Sequence, residues 1–176
     1  MRSLINAVAA AGVVLFSGLA GNAQEAKPTS PELQPLHRFV GSWEIQMVSK
    51  PAEWTPEKKT TTCTTKMEWT LGGRMIETRC VWTPDNIHGL ALIAYDAVNK
   101  EYRQWYFDST GLIQRGENRG NWDEPTKTFT WKTTSDHGIV SQSHRFIDKD
   151  TFEWIFVFKD AAGKVCLDME GTAKRK

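Results

Sequence analysis

The chain has little of what most catalytic and metal sites are built from. It holds three cysteines and four histidines in 176 residues, and its charges nearly balance. His37, His88, His137 and His144 show no H-x-H or H-E-x-x-H spacing that would hold zinc. No serine sits in a nucleophile-elbow context, and "SDHG" at 135–138 lies in a turn, not in a triad. "DKD" at 148–150 reads as a solvated turn and not a calcium loop. These absences count against the better-known hydrolases and metalloenzymes. No catalytic residue and no metal ligand is assigned.

The long apolar stretch is N-terminal. Arg2 precedes "LINAVAAAGVVLFSGLA", and Gly21-Asn22-Ala23 puts small residues where a signal peptidase cuts. Residues 1–23 are therefore expected to be a signal peptide, with export to the periplasm or the extracellular space. The stretch is Ala/Gly-rich, contains Asn6 and lacks a basic stop-transfer flank, so no stable membrane insertion is expected after cleavage. Losing Arg2 leaves equal numbers of basic and acidic residues, which argues against nucleic acid or an anionic membrane as partner. Residues 24–35, with "QEAKPTSP", are expected to form a flexible leader, and 36–176 a single domain.

That domain is rich in Thr, Trp, Phe and Val, set in short alternating runs between turn residues, which is the all-β signal. Strands are expected over 42–49, 60–70, 74–82, 88–95, 101–108, 112–122, 127–133, 140–147, 151–159 and 164–173. Only "PELQPLHRFV" looks helical, and Pro35 limits it to a turn or two. Ten strands joined by short turns make an antiparallel meander, which hides its edges most simply by closing into an up-and-down barrel. A two-sheet sandwich is the alternative.

Alternation puts Trp43, Ile45 and Met47 on one face of the first strand, and Phe152, Trp154, Phe156 and Phe158 on one face of the ninth. It also puts Cys63 and Cys80 on the inner face of the second hairpin, whereas Cys166 falls on a polar face with Asp168 and Glu170. A two-residue loop at Leu71-Gly72 would set Cys63 opposite Cys80, at ~4.5 Å between Cα atoms and within reach of a disulfide. A loop centred on Gly72-Gly73 suits the positive φ of a tight hairpin better and makes the two cysteines diagonal neighbours at ~7–8 Å. A disulfide between Cys63 and Cys80 stays open at this point. Three cysteines leave one over in either case.

"FVGSW" (39–43) carries the G-x-W pattern that opens the first strand of lipocalin-like barrels. With "LGGRMIE", "HGLALIAYDAVNKEYRQWYFDSTG" and the closing "DAAGKVCLDMEGTAKRK", the chain resembles an uncharacterised bacterial calycin-like family of unknown function, grouped with lipocalins, fatty-acid-binding proteins and nitrobindins. The resemblance covers about 36–176. It implies a ten-stranded barrel with room for an internal pocket, and no established activity. Nitrobindin-like proteins bind haem through a G-x-W-x-G-x-G stretch and a late proximal histidine. Here Gly41 and Trp43 match, but "GSWEIQM" lacks the later glycines and 151–176 contains no histidine. His144 is the histidine placed to look inward late in the chain, and no haem or other cofactor is expected.

"QRGENRGNW" (114–122) is unusually polar for a strand. Arg115 and Arg119 inside the barrel would neutralise a ligand carboxylate. The other reading turns them outward and leaves Gly116, Asn118 and Gly120 inside to make room for bulky neighbours. The expected protein is a non-enzymatic carrier of a small hydrophobic or amphipathic ligand, held against Trp69, Trp105, Trp154 and Phe156, with Arg74 and His144 as polar contacts. Two alternatives stand beside it. One is a cavity-based isomerase or lyase, and the other a filled barrel serving as an envelope interaction module.

Overall fold

The computed structural model describes residues 30–111 and 116–176. Ten antiparallel strands follow one another around a closed barrel: β1 (Gly41–Ser49), β2 (Lys59–Thr70), β3 (Met75–Thr83), β4 (Ile87–Asp96), β5 (Glu101–Asp108), β6 (Asn118–Asp123), β7 (Thr128–Ser135), β8 (Gly138–Phe146), β9 (Thr151–Asp160) and β10 (Val165–Arg175). Every strand pairs with its sequence neighbours, and β1 pairs with β10 to close the ring. Closure satisfies both edges of the sheet, which an open meander of this length would leave exposed. The expected ten-stranded barrel is the observed one, and the sandwich alternative falls.

Two expected elements need comment. The sixth strand is Asn118–Asp123, and 116–117 are not part of it; the expected start over 112–115, Arg115 among them, lies outside the described residues. The chain also enters the fold earlier than 36. Two short 3-10 turns, Pro31–Leu33 and Pro35–Phe39, lie across one end of the barrel, each opened by a proline whose missing N–H costs nothing there. Leu33, Leu36 and Phe39 are buried, and Tyr102 Oη donates to the Glu32 carbonyl at 2.7 Å, so residues expected in the leader form part of the cap.

The G-x-W pattern explains itself at this end. Trp43 is fully buried against Phe152, donates from Nε1 to the Phe39 carbonyl at 2.7 Å, and carries the Arg175 guanidinium 4.1 Å above its ring. Arg175 also donates to the carbonyls of Val40, Arg38 and Lys149. Gly41 has φ +133°, and a Cβ there would lie 2.2 Å from Arg175 Nη1, so only glycine fits. Below the cap, Phe39, Phe129, Phe146 and Phe152 pack edge to face or tilted at 5.1 to 6.2 Å, giving an aromatic closed end.

The hairpin between β2 and β3 turns over four residues, Leu71 to Arg74, with positive φ at Leu71, Gly72 and Gly73. Thr70 pairs with Met75, Cys63 with Trp82, and Thr65 with Cys80. This is the register of a loop centred on Gly72-Gly73. The two cysteines are diagonal neighbours, and all three cysteines of the chain are buried free thiols.

Candidate binding cavity

A cavity of about 470 Å³ runs from the buried Phe39 at the capped end to an open mouth at the other. Its walls come from the inward face of most strands. Met47 stands on β1, Cys63 on β2, Cys80 and Trp82 on β3, Tyr106 on β5, and Trp154 and Phe156 on β9. At the mouth, Trp54 from the β1–β2 loop packs on Phe158, with ring centroids 4.9 Å apart, and its backbone N–H bonds the Cys166 carbonyl at 2.9 Å. Trp54 is 61% exposed, so a large aromatic group sits half in solvent beside the opening.

One wall is polar and uncharged. Gln104 Oε1 accepts from Asn118 Nδ2 at 2.9 Å and from Gln142 Nε2, Thr133 Oγ1 donates to Asn118 Oδ1, and Trp154 Nε1 donates to Gln142 Oε1 at 3.1 Å. Deeper, Trp131 Nε1 donates to His144 Nδ1 at 3.2 Å, which leaves the imidazole proton on Nε2. Complete burial among Phe39, Trp131 and Phe152 pushes the His144 pKa down to about 3, so the ring is neutral at physiological pH. No Arg, Lys, Asp or Glu lines the cavity among the described residues.

The sequence-predicted site residues divide. His144, Trp154 and Phe156 line the cavity. Trp69 does not: it points inward at the capped end, where its Nε1 donates to His37 Nδ1 at 3.2 Å and the rings stack. Trp105 lies on the outer face of β5, because Tyr102, Gln104 and Tyr106 take the inner one. Arg74 sits exposed in the β2–β3 turn. Arg119 is also outward and exposed, while Asn118 and Gly120 face in; a Cβ on Gly120 would meet the Trp131 ring at 2.4 Å. That matches the reading of "QRGENRGNW" in which glycine makes room for bulk.

Sequence reasoning missed the uncharged strip and Trp54. Asn118 had a signal, since it shares a face with the two glycines that flank it. Gln142 shares its face with His144 and Phe146, and Gln104 with Tyr102 and Tyr106, but a lone polar residue on such a face does not announce that several will meet across the barrel. Outside the barrel, Arg103 is buried among Asp96 (3.1 Å), Glu101 (2.8 Å) and Glu117, an ion cluster that fastens β5 to β6 and has no part in the cavity.

Residues 28–175 match the family model described as "Protein of unknown function (DUF1579)". The chain belongs to this family. No curated protein matches this DUF1579 chain in sequence. In structure it is similar to Rv2717c from M. tuberculosis (TM-score 0.63, 12% identity, covering 84% of this chain and 98% of that one). It is also similar to the S-type phycobiliprotein lyase CPES from Guillardia theta (TM-score 0.60, 14% identity, covering 80% and 89%). At these identities the likeness establishes a shared calycin-like barrel and nothing finer.

Proposed function

We propose that the protein is an exported carrier that holds a small apolar or amphipathic molecule in its barrel, the ligand's polar end being uncharged. The cavity of about 470 Å³ carries this reading, because it exceeds the ~300 Å³ at which ligand pockets begin. A filled barrel acting only through its surface would have no such space. Aromatic and aliphatic walls contribute ~25 cal/mol for each Å² of apolar ligand surface they cover, less the cost of ordering the ligand. The Gln104–Asn118–Gln142 strip and the neutral His144 offer donors and acceptors without charge. A hydroxyl, carbonyl or amide suits them, whereas a buried carboxylate would meet no counter-charge among the described residues. One protein of similar fold is a phycobiliprotein lyase. Here a neutral, fully buried His144 is a poor general base, which favours carriage over catalysis.

The experiment is a fluorescence titration of residues 24–176 with pyrenemethanol and pyrenecarboxylate, which share a ring and differ in their polar end. The alcohol is expected to saturate one site and to bind at least about tenfold tighter at neutral pH, a difference of ~1.4 kcal/mol. Failure of both to bind at micromolar concentration would return the barrel to the surface-interaction reading. Tighter binding of the carboxylate, abolished by Arg115→Gln, would overturn the neutral-end assignment.

A further inference from the structure

Cys63 and Cys80 stand on neighbouring strands of the cavity wall, and the register places them on a diagonal. The two cysteines pack in one buried cluster, and Cys63 Sγ donates to the Thr64 carbonyl at 3.7 Å. Diagonal Cα atoms lie ~7–8 Å apart, beyond the ~6.8 Å that a disulfide spans without distortion. The two thiols therefore pack together where the backbone resists a bridge. Two metal–sulfur bonds of about 2.3 Å each, the zinc–thiolate value, cover a wider gap than one S–S bond of about 2.05 Å.

Three further observations gather at the same place. Met47 packs in one cluster with the two cysteines, and Met169 packs against it, so β1, β2, β3 and β10 each bring a sulfur to one wall. Cys80 Sγ and Tyr106 Oη crowd the backbone of β4 together, since a Cβ on Gly89 would lie 2.5 Å from the first and 2.7 Å from the second. Trp82 Nε1 is buried without a hydrogen-bond partner and lies beside the Cys80 sulfur. Methionine and cysteine often fill cores simply as adaptable apolar groups. Packing alone gives no reason to keep an unsatisfied indole N–H in this cluster, because an orphaned buried donor costs about 1–3 kcal/mol.

We propose that Cys63 and Cys80 bind one copper(I) ion as a pair of thiolates, with thioether support from Met47 and Met169. Thiolate and thioether ligands select soft copper(I) over harder cations. In the binding step two S–H bonds break, two copper–sulfur bonds form and two protons leave to solvent, and copper keeps its oxidation state. The bis-thiolate centre carries one net negative charge. The Trp82 N–H, the Tyr106 hydroxyl and the Gly89 N–H are the donors around Cys80 that would stabilise it, and the indole would gain the acceptor it lacks. No sequence motif announces the site, because sixteen residues and a hairpin turn separate the two cysteines.

The test uses residues 24–176, reduced and free of oxygen, titrated with acetonitrile-complexed copper(I) against the chromophoric chelator bathocuproine disulfonate. One copper per chain should leave the chelator, and a weakly buffered indicator should record two protons released per copper. Cys63→Ser and Cys80→Ser should each weaken binding by about a hundredfold or more, Met47→Leu and Met169→Leu by about tenfold, and Cys166→Ser not at all. Circular dichroism of each variant separates lost binding from lost folding, and proton release by the unaltered chain tests thiolate ligation without any variant. No copper withdrawn from the chelator, or equal retention by the Cys63→Ser/Cys80→Ser double variant, would overturn the proposal. So would a Cys63–Cys80 disulfide in protein isolated from its host. Pyrene binding is measured separately, so the carrier reading stands or falls without reference to copper.

Discussion

At the scale of single residues, His144 is the group whose burial has the clearest consequence. Its folded pKa of about 3 lies far below the ~6.5 of an unfolded chain. The sign follows from linkage. Above pH ~6.5 neither state binds the proton; below it the unfolded chain does and the barrel does not, so stability falls with pH until about pH 3. The full window is worth roughly 4–5 kcal/mol at ~1.4 kcal/mol per pH unit. His144→Gln keeps a neutral acceptor for Trp131 Nε1 and removes the titration. Urea unfolding at pH 7 and pH 4 should show a smaller loss for the variant than for the parent, by about 2–3 kcal/mol over that interval. Parallel losses would mean that His144 does not titrate between the two states. The same residue shows how far a site can be read from sequence. Its inward direction came from alternation, as did those of Trp154, Phe156 and both cysteines. Depth along the barrel axis did not, so Trp69 went to the wall when it belongs to the cap. On β5 aromatics occur on both faces, with Tyr102 and Tyr106 inside and Trp105 and Phe107 outside, and pattern alone cannot choose between them.

At the scale of elements, strand positions were legible because most strands carry an apolar face and end in turn residues. The β2–β3 register is the one centred on the two consecutive glycines, whose positive φ suits the turn, although Leu71 takes positive φ as well. The cap was less legible, since its last tie comes from the far end of the chain. Arg175 on β10 bonds the Arg38 and Val40 carbonyls ahead of the first strand and the Lys149 carbonyl in the β8–β9 turn, and covers Trp43. Its ion pair with Asp150, at 3.2 Å and partly exposed, contributes little by comparison. Charge-assisted bonds to backbone carbonyls and the cation–π contact set the expected loss for Arg175→Ala at about 2–3 kcal/mol, read from the urea midpoint at constant slope. Arg175→Lys should recover less than half of it, because an ammonium cannot address several carbonyls at once. A loss below about 0.5 kcal/mol for Arg175→Ala would show that the cap is held by Leu36 and Phe39 alone.

At the scale of the molecule, the barrel is a chain of local hairpins plus one non-local seam. Each pairing from β2 through β10 joins strands adjacent in sequence, and β1 meets β10 across nearly the whole domain. Loop-closure entropy delays the contact of greatest separation, so the seam should form after the folding transition state. Gly171 tests this, because it lies on β10 in the seam and a Cβ there would meet the Gln46 carbonyl and Met47 Cγ, each at 2.8 Å. Gly171→Ala should speed unfolding in stopped-flow chevrons and leave the folding arm nearly unchanged, a φ-value near zero. Gly120→Ala strains the local β6–β7 pairing, where a Cβ would meet Trp131. It should slow folding as well, because neighbouring hairpins are already formed when the barrel commits. Equal slowing of folding by both substitutions would place closure of the ring inside the nucleus and overturn the order argued from sequence separation.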